Sequence, residues 1–567
     1  MRFALLFCLF LAPWTALAGD GFSAGGIDRE LRRIVNGKGG TDPIAGASLA
    51  VMVGDRLVYS GAAGCAEFKS GTDDKCARPL RATSKLRVAS VSKMAIALAL
   101  ARLVDEGLVD LDRAASDYIG WPLSNPAFPD RLITVRHLLS HRSSVRDPEE
   151  YWVAAPREFR SLFAGEAPPF AAAADDVDFG PGAWFQYANL NYGILAAVIE
   201  GATQRRFDLV MSDRLFRPTS LDIGFNWSGV SPKARREGAA LYERDDRGWR
   251  PLVDPPEVLA GDLPYFLADE SVDRAAYLGA YRPGDNPTLF SPQGGLRASV
   301  IDLAELVRQL RSADYLTKPS WRFDEKTPNG DTEDGFFRAF GLGVQTVEGN
   351  AALLPGRSLI GHPGEAYGLF SGAWLLKADP SSGRPHDVAI AFAATGVAPR
   401  PAKGAHPTFN AVEERLMRLA FKISDASEPD HPSHDAEPRP FDESAAAMID
   451  VEGALLASKA SGRPVLLVLG GNWCHDSRGL AAKFAREPLD AVIDRGFHLV
   501  YVDVGNRDRN LDVAKRFGVE TLLGTPTVLI VSPDGALLNA DSVHDWRTAE
   551  SRSMSDAIDY FSAYAAD

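Results

Sequence analysis

Ser90 and Lys93 form a pair that could carry out nucleophilic catalysis. Ser90 stands where polar sequence gives way to an apolar helix pattern from Val91 to Val109, and Lys93 follows three residues later on the same face. A serine hydroxyl becomes a good nucleophile when a base removes its proton, and burial can lower the pKa of a lysine enough to help. Backbone N–H groups at a helix start also favour a developing oxyanion. The spacing fits an acyl-transfer nucleophile, and it fits a capping serine beside a surface lysine equally well.

Cys474 is a second candidate nucleophile. It follows the buried-strand pattern Val465 to Leu469 and precedes a helix pattern, and a helix start favours the thiolate form. A thiolate can attack a disulfide, but a second thiol is needed to expel the partner, and the position three residues on is Ser477. Three interpretations remain open for this region: a binding or docking module, a monothiol redox module, and a relic with a structural role.

Cys65 and Cys76 lie in two strand patterns around the turn 69–72. A disulfide across that turn is plausible and would stabilise the fold by about 2 to 3 kcal/mol. Two unpaired thiols are the alternative. In either case Cys474 is left without a partner in the exported chain.

The N-terminus has the three parts of a secretory signal peptide. Met1-Arg2 precedes the apolar run Phe3 to Trp14, which is followed by Ala16-Leu17-Ala18, so we expect residues 1–18 to be removed. The run is shorter than the roughly 20 apolar residues that a bilayer span requires. A periplasmic or secreted protein with no transmembrane span in the mature chain is therefore expected.

Length and composition limit the architecture and the partners. A chain of 567 residues, at about 100 to 200 residues per domain, predicts two or three folded units. Apolar residues make up 46% and charged residues 24%, as in soluble globular proteins. The net charge of −14 offers no electrostatic case for a nucleic acid partner.

An acidic, proline-rich segment divides the chain. Residues 424–443 carry seven acidic residues against one arginine, with four prolines and little to bury, which is typical of a linker. His431 and His434 lie in it and are interpreted as linker residues rather than metal ligands. The predicted organisation is a large region over 19–423, a linker over 424–445 and a small region over 446–567.

The large region shows strand patterns at both ends and helices between them. Strands are predicted at Ser48 to Ala62, Ser371 to Leu376 and Val388 to Ala394, and a helix at Ala411 to Ile423. This order predicts an antiparallel sheet with helices packed on it and a mostly helical insert, an α+β fold. The irregular stretch 243–289 is expected to wall the cleft.

Four further motifs accompany Ser90-Val91-Ser92-Lys93. In chain order they are Ile133 to His141, Tyr187-Ala188-Asn189, Ser291 to Leu296 and Gly361-His362-Pro363-Gly364. With these five elements, residues 28–423 resemble the class C β-lactamase and D-alanyl-D-alanine peptidase family, which also contains esterases and D-aminopeptidases. By this resemblance the elements at Ser90, Tyr187 and Gly361 are the first, second and third motifs of a serine-reactive site.

The resemblance implies a role for each site residue. Ser90 would form the acyl-enzyme, Lys93 would help to deprotonate it, and Tyr187 would act as general base. Asn189 would orient the substrate amide. The backbone N–H groups of Ser90 and of Glu365, which follows Gly364, would form the oxyanion hole.

His362 departs from the lysine that β-lactamases carry at this position. A histidine is mostly neutral at pH 7 and offers less charge to a substrate carboxylate than a lysine. We therefore expect esters and D-amino-acid amides to be better substrates than penicillins. His137 and His141 are spaced for a metal, but no acidic third ligand is apparent, and the resemblance explains them as helix-end residues beneath the site.

The small region resembles thioredoxin-like proteins, an α/β fold. The features that carry the resemblance are Trp473-Cys474 after a strand and Thr525-Pro526 before the strand at Val528 to Val531. The buried acid of thioredoxins is replaced by Val468. Pro526 is expected beside Cys474 at the thiol site.

The combined prediction is an exported serine hydrolase that cleaves an amide or ester through Ser90, tethered to a monothiol thioredoxin-like module. Its partners would be a small-molecule or peptide substrate and a protein thiol at Cys474, with no cofactor and no metal. The alternative is a penicillin-binding sensor or a thiol-binding protein whose large region binds ligand without turnover.

Overall fold

The computed structural model describes residues 24–567 except 70–73, 166, 380–385, 428–437, 444, 486–488, 550, 551, 553 and 567. The predicted signal peptide and the two linker histidines, His431 and His434, lie outside the described residues. The chain forms two compact units, Met1–Glu428 and Pro429–Asp567. Among the residues described, no helix combines the length and the apolar character that crossing a membrane requires.

The large unit is built on an antiparallel sheet of nine strands. The strands of this unit are β1 (Gly46–Val53), β2 (Arg56–Phe68), β3 (Cys76–Pro79), β4 (Leu86–Arg87), β5 (Gly224–Phe225), β6 (Leu241–Asp245), β7 (Gly248–Val253), β8 (Leu296–Ala298), β9 (Trp321–Arg322), β10 (Ala339–Phe340), β11 (Gln345–Asn350), β12 (Leu353–Ala366), β13 (Leu369–Leu376) and β14 (Val388–Thr395). The main sheet has the order β3-β2-β1-β14-β13-β12-β11-β10-β9. Strands β4, β8 and β5 form a small second sheet, and β6 and β7 pair as a hairpin. The antiparallel sheet predicted from the strand patterns at the two ends of the large region is confirmed.

Helices cover both faces of the main sheet. They are α1 (Ala24–Val35), α2 (Ser92–Asp105), α3 (Ser116–Ile119), α4 (Val135–Leu139), α5 (Leu190–Thr203), α6 (Phe207–Met211), α7 (Pro232–Arg236), α8 (Pro256–Leu259), α9 (Arg274–Ala280), α10 (Val300–Arg308), α11 (Asp314–Thr317) and α12 (Ala411–Ser427). α12 runs to Ser427, four residues into the segment interpreted as linker, and its Ser424 is buried. The helix therefore extends beyond residue 423, where the composition placed the end of the large region.

The core of the large unit lies in two layers separated by the sheet. In β1, Leu49 and Val51 face one layer together with Leu416 of α12, whereas Ala50 and Met52 face the other layer together with α2 and α5. Every residue of β1 is buried, because side chains of a strand alternate between faces and both faces are covered. This packing fixes the position of the sheet relative to α2, the helix that follows Ser90.

Cys65 of β2 and Cys76 of β3 are joined by a disulfide, with a Cα–Cα distance of 5.6 Å. Cys474 is a buried free thiol, the cysteine outside that bridge in the described part of the chain. The structure therefore places the pair where the strand patterns suggested.

The small unit contains a three-stranded sheet with helices around it. Its elements are α13 (Ala447–Ser461), β15 (Val465–Gly470), α14 (His475–Phe484), α15 (Leu489–Gly496), β16 (His498–Asp503), α16 (Leu511–Arg516), β17 (Thr527–Val531) and α17 (Met554–Ser562). β15 is central, pairing parallel with β16 and antiparallel with β17. All residues of β15 are buried, as its uninterrupted apolar sequence predicts.

Candidate active site

Ser90 lies in a short 3-10 turn, Ala89–Val91, between β4 and α2. Ala89 has a positive φ of 46°, a conformation that is uncommon for a residue with a side chain. β12 approaches this turn closely at Gly364, where an added Cβ would lie 2.5 Å from the carbonyl oxygen of Val88. A residue larger than glycine would push β12 away from Ser90, so Gly364 fixes the distance between the first and third motifs.

Lys93 is fully buried in the first turn of α2. Its Nζ lies 2.9 Å from Ser90 Oγ, 2.9 Å from Asn189 Oδ1 and 2.8 Å from the carbonyl oxygen of Gln293. Burial lowers the pKa of Lys93 to about 7. A neutral amine has two hydrogens and one lone pair, so it can donate to the two carbonyl oxygens and accept the Ser90 hydroxyl proton.

Tyr187 lies against Lys93, whose Nζ is 4.9 Å from the ring centroid. Its ring stacks on His141 at 4.3 Å and on Phe337 at 5.1 Å. Burial raises the pKa of Tyr187 well above its usual range, although a hydrogen bond with Ser90 acts in the opposite direction. The phenol of Tyr187 therefore holds its proton more strongly than a free tyrosine does, and the general-base role that the family resemblance implies stays a prediction.

Asn189 is held in place by Asp147, a residue that no sequence motif singled out. The Asp147 carboxylate accepts hydrogen bonds from the backbone N–H of Asn189 at 2.8 Å, from Asn189 Nδ2 at 3.0 Å and from the N–H of Leu190 at 2.8 Å. These contacts turn Asn189 Oδ1 toward Lys93. Asp147 therefore anchors the start of α5 and orients the side chain that fixes the lysine.

His362 is buried in β12 and lines the same cleft as Ser90. Burial is the main reason that its pKa falls to about 3, and the charge of Lys93 contributes to the shift. Its Nδ1 is 2.6 Å from the carbonyl oxygen of Pro363, which can only accept, so Nδ1 carries the hydrogen. Nε2 then keeps a lone pair and has no hydrogen-bond partner in the described part of the chain. His362 can accept a hydrogen bond from a substrate but cannot supply a positive charge.

His137 and His141 are used by the fold. His137 completes a capping box with Thr134 at the start of α4. His141 Nδ1 accepts a hydrogen bond from the N–H of Ala188 at 3.1 Å, so it supports the segment between Tyr187 and Asn189. Their spacing of four residues reflects these two positioning roles.

The Ser90 cleft has a volume of about 510 Å³. Besides the predicted residues, its lining includes several side chains that the sequence did not single out: Arg87, Tyr151, Glu333, Phe336, Phe337 and Tyr367. Burial raises the pKa of Glu333 and that of Glu365. The stretch 243–289, expected to wall this cleft, instead contributes to an adjoining cavity of about 520 Å³.

In the small unit, Cys474 is the N-cap of α14, and its Sγ lies 3.4 Å from the carbonyl oxygen of Thr525. The Thr525–Pro526 peptide bond is cis, which places Pro526 directly after this contact. Ser477 is fully buried, and its Oγ has no hydrogen-bond partner among the residues described. Cys474 and Ser477 thus occupy the start of one helix as predicted, with no thiol at the second position.

Comparison with known proteins agrees with both units. Residues 31–413 match the β-lactamase family model, and residues 446–533 match a thioredoxin-like family model. The chain therefore belongs to the β-lactamase family and carries a C-terminal thioredoxin-like domain.

Curated relatives match part of the large unit. Esterase EstB of Burkholderia gladioli is 29% identical over 199 residues, which are 32% of this chain and 47% of the relative. Protein flp of Staphylococcus aureus strain MW2 is 25% identical over 183 residues, 32% of this chain and 35% of the relative. The chain thus spans between a third and a half of the length of these relatives.

Solved structures resemble each unit separately. D-amino acid amidase from Ochrobactrum anthropi SV3 is 19% identical, with a TM-score of 0.46, covering 71% of this chain and 98% of that chain. A disulphide isomerase from Xylella fastidiosa Temecula1 is 35% identical, with a TM-score of 0.22, covering 23% of this chain and 98% of that chain.

Proposed function

We propose that this protein is an exported serine hydrolase that cleaves an ester or amide through an acyl-enzyme on Ser90. The observation that carries the proposal is the 2.9 Å contact between Ser90 Oγ and the buried amine of Lys93. Because the pKa of Lys93 is lowered to about 7, a large fraction of the amine is neutral at physiological pH and ready to take a proton.

The first half of the reaction follows from these contacts. Lys93 Nζ removes the hydroxyl proton while Ser90 Oγ attacks the substrate carbonyl carbon. The backbone N–H groups of Ser90 and Glu365 stabilise the oxyanion. The tetrahedral intermediate then collapses, and the leaving amine or alcohol receives the proton, with Tyr187 as a hydrogen-bond donor beside Ser90. Water hydrolyses the ester on Ser90 in the second half, again with Lys93 as base.

The substrate class follows from the neutral third motif. His362 presents an acceptor nitrogen where a lysine would present a charge, so it suits a substrate N–H or O–H group rather than a carboxylate. Esters and D-amino-acid amides are the proposed substrates, with β-lactams turned over weakly. The similarity to an esterase supports this choice.

We propose that the thioredoxin-like domain captures a thiol partner once. Cys474 attacks a disulfide, one sulfur of that disulfide leaves as a thiol, and Cys474 keeps the other in a mixed disulfide. The Ser477 hydroxyl cannot displace that partner. The signal-like N-terminus and the Cys65–Cys76 bridge support export to an oxidising compartment, where disulfide partners occur.

Covalent labelling tests the hydrolase proposal. Incubation with a fluorophosphonate followed by peptide mass spectrometry should place one label on Ser90, and Ser90→Ala should abolish both labelling and aryl ester hydrolysis. Ser116→Ala, a serine at the start of α3, is the matched control and should behave as the unmodified protein. Labelling of a different serine with retained turnover in Ser90→Ala would refute the assignment.

A further inference from the structure

The cavity of about 520 Å³ adjoins the Ser90 cleft. Arg87, Tyr151, Gln293 and Tyr367 line both spaces and form the boundary between them. A substrate held at Ser90 can therefore extend past these four side chains into the second cavity.

Arg87 brings a positive charge to this boundary without an acidic partner. Its Nη2 donates to Ser291 Oγ at 3.0 Å, and its guanidinium lies 5.1 Å from the centroid of the Tyr367 ring. Its Nε is buried with no hydrogen-bond partner, and no carboxylate among the described residues forms an ion pair with Arg87. Arg87 as a whole is half-buried, so its guanidinium has lost part of its hydration, which an anion in the cleft can replace.

Asp254, a carboxylate whose charge acts on Arg87, is already engaged by another arginine. Asp254 pairs with Arg297 through contacts of 2.8 Å and 2.9 Å and also accepts a hydrogen bond from Trp227 Nε1 at 2.9 Å. Burial, together with the charge of Arg297, lowers the pKa of Arg87. The Asp254 carboxylate therefore forms an ion pair with Arg297 and none with Arg87. The other acid of the cavity wall, Glu257, is exposed.

The wall of the second cavity suits an organic chain that ends in an anion. Leu252, Phe266 and Leu267 contribute apolar and aromatic surface, and Phe266 is almost fully buried. Such surface excludes water and strengthens a hydrogen-bonded ion pair at its edge. A guanidinium matches the two oxygens of a carboxylate better than it matches a single acceptor.

We propose that the second cavity is a substrate subsite in which Arg87 binds a carboxylate carried by the substrate of Ser90. This inference rests on the proposed hydrolase function. In this proposal the fixed positive charge of the site does not come from the third motif, where His362 is neutral. It comes from Arg87, three residues before Ser90. The preferred substrate is then an ester or amide with a carboxylate on its acyl or leaving part.

Two matched substrate pairs test the proposal. The first pair is mono-4-nitrophenyl glutarate and its methyl ester, with the carboxylate on the acyl part. The second is 4-carboxyphenyl butyrate and its methyl ester, with the carboxylate on the leaving part. The quantity measured is the ratio of kcat/KM for the acid to kcat/KM for the methyl ester in each pair.

In at least one pair, Arg87→Gln should lower this ratio by about 10- to 100-fold, and Arg87→Lys should lower it less, because a charge-assisted hydrogen bond is lost or weakened. Arg322→Gln, an exposed arginine that lines neither cavity, should leave the ratio unchanged. The pair that responds assigns the carboxylate to the acyl or the leaving side. Equal ratios in the unmodified protein and Arg87→Gln for both pairs would overturn the proposal.

A second test uses inhibitors of the unmodified protein, so it does not depend on whether a variant folds. Glutarate should inhibit hydrolysis of the neutral ester at a concentration at least tenfold lower than glutaramide, and added salt should weaken this inhibition. Equal inhibition by the two compounds would also overturn the proposal. Hydrolysis of the two methyl esters by Ser90→Ala separates the hydrolase proposal from the subsite proposal. If Ser90→Ala still hydrolyses them, the proposed function fails. If it does not, and Arg87→Gln leaves both ratios unchanged, the subsite alone is refuted.

Discussion

The two candidate nucleophile regions of this chain both lie at a helix start, and they differ in the nucleophile and in the residue three positions on. Ser90 and Cys474 each stand at the start of a helix, and in each helix the residue three positions on is fully buried. At Ser90 that residue is Lys93, a buried amine in hydrogen-bond contact with the nucleophile. At Cys474 it is Ser477, a buried hydroxyl with no partner among the residues described. In the functions proposed for the two units, the helix start makes a nucleophile available and the residue three positions on determines whether the reaction repeats.

The largest expected effect comes from removing the partner at Ser90. Lys93→Met keeps an apolar chain of similar length in the buried site but removes the proton acceptor, so kcat for an aryl ester should fall about 10³-fold. Steady-state kinetics measure the change. Lys377→Met, at an exposed lysine, serves as control. If kcat falls by less than tenfold in Lys93→Met, Lys93 is not the base, and the difference between the Ser90 and Cys474 regions does not lie in the residue three positions on.

Adding a partner at Cys474 is the converse change. The unmodified protein should take up one glutathione at Cys474 from oxidised glutathione and show no multiple turnover in insulin reduction. Ser477→Cys should introduce turnover, because a thiol at this position can expel the captured partner.

Ser532→Cys, in a turn after β17, places a new thiol in the same domain away from Cys474 and should introduce no turnover. Robust turnover by the unmodified protein would mean that another thiol resolves the mixed disulfide. Since Cys65 and Cys76 are bridged to each other, that outcome would require their reduction.

A smaller effect is expected at the third motif. The unmodified protein should have a higher kcat/KM for simple aryl esters than for a chromogenic β-lactam. His362→Lys should shift this ratio about tenfold toward the β-lactam, because a lysine supplies the charge that His362 lacks. His386→Lys, outside the cleft, should leave the ratio unchanged. A β-lactam preference in the unmodified protein would show that the neutral histidine does not set the substrate class.

The sequence was informative where the signal is local. The Ser90–Lys93 spacing and the one-sided apolar pattern of α12 follow from helical periodicity, and the strand β15 follows from its uninterrupted apolar run. These features depend on residues close together in the chain. The structure accordingly places five apolar residues of α12 in one core layer: Val412, Leu416, Leu419, Ala420 and Ile423.

The sequence was silent where the site depends on distant residues. Asp147 meets Asn189 across 42 positions, and Lys93 meets the carbonyl of Gln293 across 200. Helix and strand periodicity relates residues that are close in the chain, so it predicts neither of these two contacts. The pKa of Tyr187 likewise depends on burial by side chains from several elements, so its sequence motif alone does not fix its protonation state. Arg87 belongs to the same class, since its unpaired charge follows from Asp254 being engaged by Arg297.

The pH dependence of Ser90 acylation tests the central claim most directly, namely that the buried amine of Lys93 activates the serine. Below the pKa of Lys93 the ammonium cannot accept a proton, and above it the neutral amine can. The second-order rate of labelling by a fluorophosphonate, measured from pH 5 to 9.5, should rise with pH and level off with an apparent pKa of about 7. A profile that is flat over this range, or that keeps rising toward pH 9.5, would contradict the account.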